Sequence, residues 1–289
     1  MDDPYLIRKL EESSGYHAHS FSNRYMNWKR FYSISKSFGQ ELKKLKKLTR
    51  PINVLDIGCG DGWMIYRLKA KFDQELELNF TGLDISEFDI DFANKRKEYF
   101  SYDHCEFKIM DLNSLTFSNE EFDIVIISEV IEHIQDPGII IESLSRVLKK
   151  NGLVILTTPQ KGGSILAKLL RLLNQVTGGL IRKCETKYEK KLLCDKEKSL
   201  RRFSSEEGKM GSGLGHVSIK NLRQWKKIFR AHGFMVQAVR GTGGMLFGDP
   251  HFDRHRILFG LSVIFDVLTE PFSFFYSWSE NFFFELRKK

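Results

Sequence analysis

The stretch that decides the fold runs from Val54 to Gly62 and reads VLDIGCGDG. A short apolar strand leads directly into three closely spaced glycines, and a segment that reads as a helix, 63–71, follows them. Glycines let the chain turn tightly and approach a ligand without a Cβ clash. The helix beyond them can receive a carboxylate or a phosphate at its N-terminus. The stretch therefore predicts a ligand-binding turn at the carboxyl end of a strand.

An acidic residue follows where a nucleoside would need one. Asp84 ends the next predicted strand, 76–85, and an acid there can accept hydrogen bonds from both ribose hydroxyls. Together with the glycines it predicts an adenosine-type ligand. The spacing is G-x-G-x-G rather than the G-x-G-x-x-G of dinucleotide sites. Asp56, inside the stretch, is poorly placed for a pyrophosphate and suits a ligand with a positively charged amino-acid end.

Outward from this turn, apolar strands alternate with helices. The segment 122–128, FDIVIIS, is apolar almost throughout, which is typical of a strand buried on both faces. This alternation predicts an α/β fold with a doubly wound parallel sheet. The predicted strands are 52–57, 76–85, 105–112, 122–128, 153–158, 234–239 and 282–286, and the helices between them are 63–71, 87–100, 136–150 and a segment from an N-cap at Ser218 to His232.

Composition excludes several classes of protein. The 289 residues are 42% hydrophobic and 28% charged, which is ordinary for a globular protein and excludes disordered, collagen-like and bulk membrane chains. The net charge of +8 permits nucleic acid, anionic lipid or an anionic substrate and selects none of them. The four cysteines show no CxxC pairing and no zinc spacing, and the N-terminus lacks an apolar signal core, so a cytoplasmic protein with reduced thiols is expected.

Five motifs in this order resemble the class I S-adenosylmethionine (SAM)-dependent methyltransferases: VLDIGCGDG (54–62), GLDIS (82–86), MDLNSL (110–115), FDIVIISEVIEHIQDP (122–137) and LSRVLKKNGLVILTTP (144–159), with a weaker sixth at 215–234. The resemblance implies a Rossmann-like seven-stranded sheet whose last strand is antiparallel, with SAM as cofactor. It implies that Ile85 stacks on the adenine and that Asp111 faces its amino group. The cofactor contacts that it implies are Asp56, Gly58, Gly60, Gly62, Asp84, Ile85, Asp111, Leu112 and Glu129. An NAD enzyme of similar topology is the alternative.

We expect a single methyltransferase domain with helical cap insertions. Both insertions follow strands at their carboxyl ends, so they should cover the acceptor side of the cofactor. The predicted parts are N-terminal helices in 1–50, a cofactor-binding half in 51–159, an insertion in 160–215, a helix and the sixth strand in 216–241, an apolar insertion in 242–280 and the last strand in 281–289.

An acidic cluster with a histidine follows the fourth strand. Glu129, Glu132 and His133 would share one face if they lay on a helical turn, and they could then hold a hard ion such as Mg²⁺. The pattern resembles the metal site of ubiquinone-biosynthesis O-methyltransferases and of small-RNA 3′-terminal 2′-O-methyltransferases, where a later histidine, here His216, would complete the set. Without metal, His133 or His216 could be the general base, and Glu129 could contact the methionine end of the cofactor.

The insertions bear on the acceptor. Their apolar stretches at 164–176 and 257–278 predict either a lid that also touches an anionic membrane and admits a lipid-linked acceptor, or two inserts packed on each other over a soluble substrate. The basic stretch 182–202 lacks repeated aromatic–basic interleaving, so nucleic acid is not the expected partner.

The expected function is O-methylation of a small or lipid-linked hydroxyl in the cytoplasm, with the inner face of the membrane as the expected site of any membrane contact. RNA 2′-O-methylation, N- or C-methylation and a non-catalytic partner subunit are the alternatives. The oligomeric state is not predicted.

Overall fold

A computed structural model describes residues 21–72, 76–112, 115–161, 217–242, 256–269 and 279–289, with positions 169, 172, 173, 175 and 176. The elements in chain order are α1 (Phe21–Leu45), β1 (Ile52–Ile57), α2 (Trp63–Phe72), β2 (Leu78–Asp84), α3 (Glu87–Tyr99), β3 (Cys105–Ile109), β4 (Phe122–Ser128), a 3₁₀ turn (Ile131–His133), α4 (Pro137–Val147), β5 (Leu148–Pro159), α5 (Leu222–Ala231), β6 (Phe234–Thr242), α6 (Arg256–Thr269) and β7 (Asn281–Lys288).

The seven strands form one sheet in the order β3-β2-β1-β4-β5-β7-β6. Strands β1 to β5 are parallel to one another, and β7 runs antiparallel to both β5 and β6. The predicted Rossmann-like sheet with an antiparallel last strand is confirmed. Because the strand order reverses between β1 and β4, a crevice opens beyond their carboxyl ends, where ligands bind in folds of this kind.

Both faces of the sheet are covered by helices. On one face, Ile34 and Phe38 of α1 pack with residues of α2 and with the strands. On the other, the stacked rings of Trp225 and Phe229 in α5 pack with α4. The central strand β4 is buried along nearly its whole length, as its apolar sequence predicts.

Helix α1 is fixed to the antiparallel edge by ion pairs. Arg287 of β7 donates to both carboxylate oxygens of Glu41, at 2.6 and 2.8 Å. Glu285, also on β7, accepts from Arg240 of β6 at 2.7 Å and from the hydroxyl of Ser37. These contacts hold one long helix of the predicted N-terminal cap across the sheet, and residues 1–20 lie outside the described part of the chain.

Several predicted bounds are wrong. The helix after the first insertion begins with Asn221 as its N-cap, whose side chain and that of Gln224 form a capping box. Ser218 lies three residues before this cap, and its backbone N–H donates to the carbonyl of Glu132 at 2.9 Å. Helix α4 ends at Val147, and β5 begins at Leu148, which pairs with Phe122 before a bulge.

The insertions are described in part. Positions 169, 172, 173, 175 and 176 of the predicted amphipathic stretch are helical, whereas the basic stretch 182–202 lies outside the described residues. The second insertion contributes α6. Among the described helices, none is long and apolar enough to cross a membrane.

Candidate active site

The glycine turn after β1 has the backbone that its sequence predicts. Gly58, Gly60 and Gly62 all have positive φ, at 70°, 52° and 72°. A Cβ on Gly58 would lie 2.2 Å from Val130 Cγ2, so this glycine is required by packing. A Cβ on Gly60 would meet nothing within 4 Å among the described residues, so the turn borders open space at its middle.

Asp84 ties the end of β2 to this turn. One of its carboxylate oxygens accepts the backbone N–H of Gly60 at 2.8 Å, and the other accepts that of Ser86 at 3.0 Å. The backbone N–H groups of Gly58 and Cys59 donate to the carbonyl of Leu83. Each carboxylate oxygen has a second lone pair, so Asp84 can still accept hydrogen bonds from ribose hydroxyls.

Asp56 is an acid buried beneath the turn, 2% exposed. Its Oδ2 has no hydrogen-bond partner within the described part of the chain. Burial raises its pKa from 3.8 to about 8, and the nearby charge of Asp84 adds to the effect. Buried carboxyls with such perturbed pKa values are typical of functional sites, and a cationic ligand group would favour the ionised form.

The residues predicted to hold the adenine lie at the ends of β2 and β3. Met110 N–H donates to the carbonyl of Asp84 at 3.0 Å, which keeps the segment after β3 beside the end of β2. Ile85 is 65% exposed, Asp111 is exposed and Leu112 is half-buried. An exposed isoleucine at this edge is available to stack on a ring, and these cofactor contacts stay predictions.

An ion pair that the sequence did not suggest supports the turn. Arg96 of α3 is buried and lies 3.2 Å from a carboxylate oxygen of Asp61. Asp61 also accepts the backbone N–H of Trp63 at 3.2 Å. The pair joins α3 to the start of α2, which gives Asp61 a structural role.

The predicted helical turn at Glu129–His133 is wrong. Glu129 has a φ of 58°, in the left-handed region, and only Ile131–His133 forms a 3₁₀ turn. The backbone N–H of Glu129 donates to the carbonyl of Thr157 at 3.1 Å, which extends the pairing of β4 with β5. The three polar side chains therefore do not share one helical face. A non-glycine residue in this conformation at a strand end is typical of functional sites.

Two residues from distant parts of the chain hold Glu129. Asn281, the first residue of β7, donates from Nδ2 to Glu129 Oε2 at 2.9 Å. Arg30 of α1 places Nη1 3.7 Å from the same oxygen. No local pattern marks Arg30 or Asn281 as site residues, because only the fold brings α1 and β7 to the end of β4.

Glu132 and His133 form an acid–imidazole pair. Glu132 is 1% exposed, accepts the hydroxyl of Thr158 at 3.3 Å, and has Oε1 4.0 Å from His133 Nε2. Burial raises the pKa of Glu132 from 4.5 to about 8, and the charge of Glu129 adds to the effect. The His133 side chain is 28% exposed, so it can reach a bound acceptor.

The metal site is incomplete in what the structure describes. No group of three or more His, Cys, Asp or Glu side chains among the described residues is arranged to hold a metal ion. His216 lies outside those residues, although its neighbour Val217 donates its backbone N–H to the carbonyl of Glu132 at 2.9 Å. Arg30 already supplies positive charge to Glu129. The four-residue site therefore stays a prediction.

Comparison with known proteins supports the methyltransferase resemblance seen in the sequence. The model of a family described as "Methyltransferase domain" matches residues 48–230, more than half of the chain. A malonyl-[acyl-carrier protein] O-methyltransferase from Hahella chejuensis is 28% identical over 141 residues, which cover 49% of this chain and 48% of that protein. A ubiquinone biosynthesis O-methyltransferase from Actinobacillus pleuropneumoniae is 33% identical over 109 residues, 36% of this chain and 44% of that protein. The chain thus spans about half the length of these curated relatives.

Solved structures agree on the fold. A putative sarcosine dimethylglycine methyltransferase from Galdieria sulphuraria superposes with a TM-score of 0.54 at 13% identity, covering 89% of this chain and 86% of that one. A geranyl diphosphate methyltransferase in complex with SAM gives 0.51 at 13% identity, covering 88% and 85%. With the family match, the sheet order and the glycine turn, these likenesses show that the chain belongs to the class I S-adenosylmethionine-dependent methyltransferases.

Proposed function

We propose that this methyltransferase transfers the methyl group of SAM to a hydroxyl of a small or lipid-linked apolar acceptor. The observation that carries the proposal is the pair formed by buried Glu132 and part-exposed His133, 4.0 Å apart at the end of β4. Val130 in the same segment lies against Gly58 of the cofactor turn. The two relatives described above, both named O-methyltransferases, support the same acceptor atom.

The reaction needs alignment of two reactants and removal of one proton. SAM, when bound, supplies a methyl group on a positively charged sulfur, which leaves as a neutral thioether when the acceptor oxygen attacks. His133 takes the hydroxyl proton as general base. The positive charge that this proton gives to His133 lies beside the carboxyl oxygens of Glu132, which stabilise the imidazolium. In this proposal the proton acceptor is a side chain, so we expect methyl transfer to be independent of divalent metal ions.

Glu129 and Asp56 are assigned to the amino-acid end of the cofactor. Glu129 Oε1 has no hydrogen-bond partner within the described residues, while Oε2 is fixed by Asn281 and Arg30. Asp56 Oδ2 is unpartnered there in the same way. Two carboxyl groups with an open acceptor atom each suit an ammonium group, which donates up to three hydrogen bonds.

Exposed apolar side chains support an apolar acceptor. In the first insertion Leu169, Leu172, Leu173 and Val176 are all at least 50% exposed, and α6 exposes a further set. Cys59 is a free, buried thiol, which suits a reducing compartment. We therefore propose that the protein works in the cytoplasm, at the inner face of the membrane.

The substitution His133→Asn tests the assigned base. We expect methyl transfer to a lipid-extract acceptor to fall roughly 10²–10⁴-fold while SAM binding is retained, because only the proton acceptor is lost. His104→Asn is the matched control, since His104 is exposed and has a φ of 60°, where asparagine is well tolerated. Full activity in His133→Asn, or transfer to an amine or to RNA instead, would contradict the proposal.

A further inference from the structure

The exposed side of α1 carries aromatic rings followed by lysines. Trp28 is 54% and Tyr32 39% exposed, and their rings stack with centroids 5.5 Å apart. The Lys36 ammonium lies 5.8 Å from the Tyr32 ring centroid. Further along the chain, exposed Lys43, Lys44, Lys46 and Lys47 follow. We call this set, from Trp28 to Lys47, the α1 ridge.

Helix α6 presents an apolar surface to solvent. Among its described side chains, all those that are exposed are apolar: Ile257, Leu261, Ile264, Phe265, Val267 and Leu268. Positions 257, 261, 264 and 268 follow helical spacing, so they form one stripe, which we call the α6 stripe. Such a stripe normally faces a protein core. An exposed one marks an interaction surface.

A buried ion pair joins the two helices. Asp266 of α6 contacts the buried ammonium of Lys29 and accepts the hydroxyl of Tyr25 at 2.8 Å. The α6 stripe is thus attached near the aromatic end of the α1 ridge. Lys36 lies about 10 Å further along α1 than Lys29, at 1.5 Å per residue. Moving away from α6, the surface changes from apolar to aromatic to basic.

Neither helix exposes a negative charge among its described side chains. Asp266 is the sole acid in the α6 sequence and Glu41 the sole acid in α1, and both are buried in ion pairs. Of the ridge lysines, Lys44 pairs with the shared Glu41 at 2.9 Å, and exposed Lys43, Lys46 and Lys47 add positive charge beside it. The surface has the charge that an anionic partner requires.

We propose that the α1 ridge and the α6 stripe together form a docking surface for an anionic lipid bilayer. The apolar side chains of α6 enter the boundary between headgroups and acyl chains, as in helices that lie on a membrane surface. Tryptophan and tyrosine prefer the interfacial layer, and the lysines attract anionic headgroups. This order of chemistry matches the depth profile of a leaflet, which favours a bilayer over a protein partner.

The docking surface adjoins the active site. Arg30, which follows Lys29 on α1, contacts Glu129 in the site. A docked bilayer would therefore lie near the entrance for an apolar acceptor. Membrane docking itself does not depend on which group is methylated, whereas its use in delivering a lipid-linked acceptor rests on the proposed function.

Flotation of the full chain with vesicles tests the proposal. We expect the protein to bind vesicles that contain phosphatidylglycerol. Its affinity for pure phosphatidylcholine vesicles, or for either kind at high salt, should be at least about tenfold weaker. The double variant Leu261→Asp/Ile264→Asp should lose binding to both kinds of vesicle, and Lys43→Glu/Lys47→Glu should lose the preference for anionic lipid. Lys227→Glu/Arg230→Glu on α5 is the matched charge control and should bind as the unchanged chain does. Thermal melting with and without SAM checks that each variant folds.

The proposal would be overturned by no binding to phosphatidylglycerol vesicles, or by equal binding to both lipids. A stable dimer that the Leu261→Asp/Ile264→Asp substitutions dissociate would also overturn it, since a second copy of the chain would then cover the α6 stripe. Methyl transfer measured in detergent separates the two proposals. Vesicle binding without hydroxyl methylation contradicts the proposed function alone, and hydroxyl methylation without vesicle binding contradicts the docking surface alone.

Discussion

Replacing Asp56 with asparagine should make the unfolding free energy of the cofactor-free protein less sensitive to rising pH. Burial places the pKa of Asp56 at about 8 in the folded chain, against 3.8 for an ordinary aspartate. The folded state therefore keeps a proton that the unfolded state releases. The stabilisation from this group is complete below pH 3.8 and is lost progressively as the pH rises toward 8.

The size of this pH dependence follows from the shift in the pKa of Asp56. Within this window each pH unit costs the unchanged chain about 1.4 kcal/mol of unfolding free energy through this single group. Asparagine has nearly the same shape and does not titrate. Between pH 5 and pH 7 the unfolding free energy of the unchanged chain should therefore fall by about 3 kcal/mol relative to that of Asp56→Asn.

Two measurements check this reasoning. Urea unfolding at several pH values gives the difference in unfolding free energy directly. Titration calorimetry with SAM in two buffers of different ionisation enthalpy counts released protons, and we expect close to one at pH 7 for the unchanged chain and fewer for Asp56→Asn. Parallel stability curves, together with equal proton release, would refute the claim that Asp56 is a neutral buried acid which the cofactor ionises.

Three further predictions follow from the site and its supports. Gly58→Ala should lower the unfolding free energy by about 3 kcal/mol or more, because its Cβ would lie 2.2 Å from Val130 Cγ2. Gly60→Ala should lower the unfolding free energy by only about 1–2 kcal/mol and should mainly weaken SAM binding. Melting curves measure the first effect, and calorimetry with SAM measures the second. Glu132→Gln should be more stable above pH 7 yet slower in methyl transfer, since it removes a buried acid whose pKa is about 8; equal rates would contradict its role beside His133. Asp266→Ala should cost about 3–5 kcal/mol by leaving Lys29 buried without its carboxylate, and adding Lys29→Met should recover most of this in urea unfolding; no recovery would mean that the ion pair is not the cause.

The sheet could be predicted because its strands are marked by local sequence. Pro51 and the glycine turn bound β1, and β4 is a continuous apolar run, so both strands have the predicted limits. The cap of α5 was misplaced because Ser218 and Asn221 are both good N-cap residues. Gln224, three residues after Asn221, is the capping-box signal that distinguishes them.

The acceptor side was harder to predict because it depends on tertiary contacts. The left-handed backbone occurs at Glu129 rather than at a glycine, so the sequence carries no signal for it and favours a helical turn instead. Arg30 and Asn281 reach Glu129 from opposite ends of the chain. Long-range contacts of this kind have no sequence spacing from which they could be inferred.

We propose above that the protein transfers the methyl group of SAM to a hydroxyl of an apolar acceptor, with His133 as base. The most direct measurement follows label from methyl-labelled SAM into the separated lipid, small-molecule, RNA and protein fractions of a cell extract, with and without a chelator. We expect label in the lipid fraction or in an apolar small molecule, unchanged by the chelator and lost with His133→Asn. Label in RNA or protein, or label that disappears with the chelator, would contradict it.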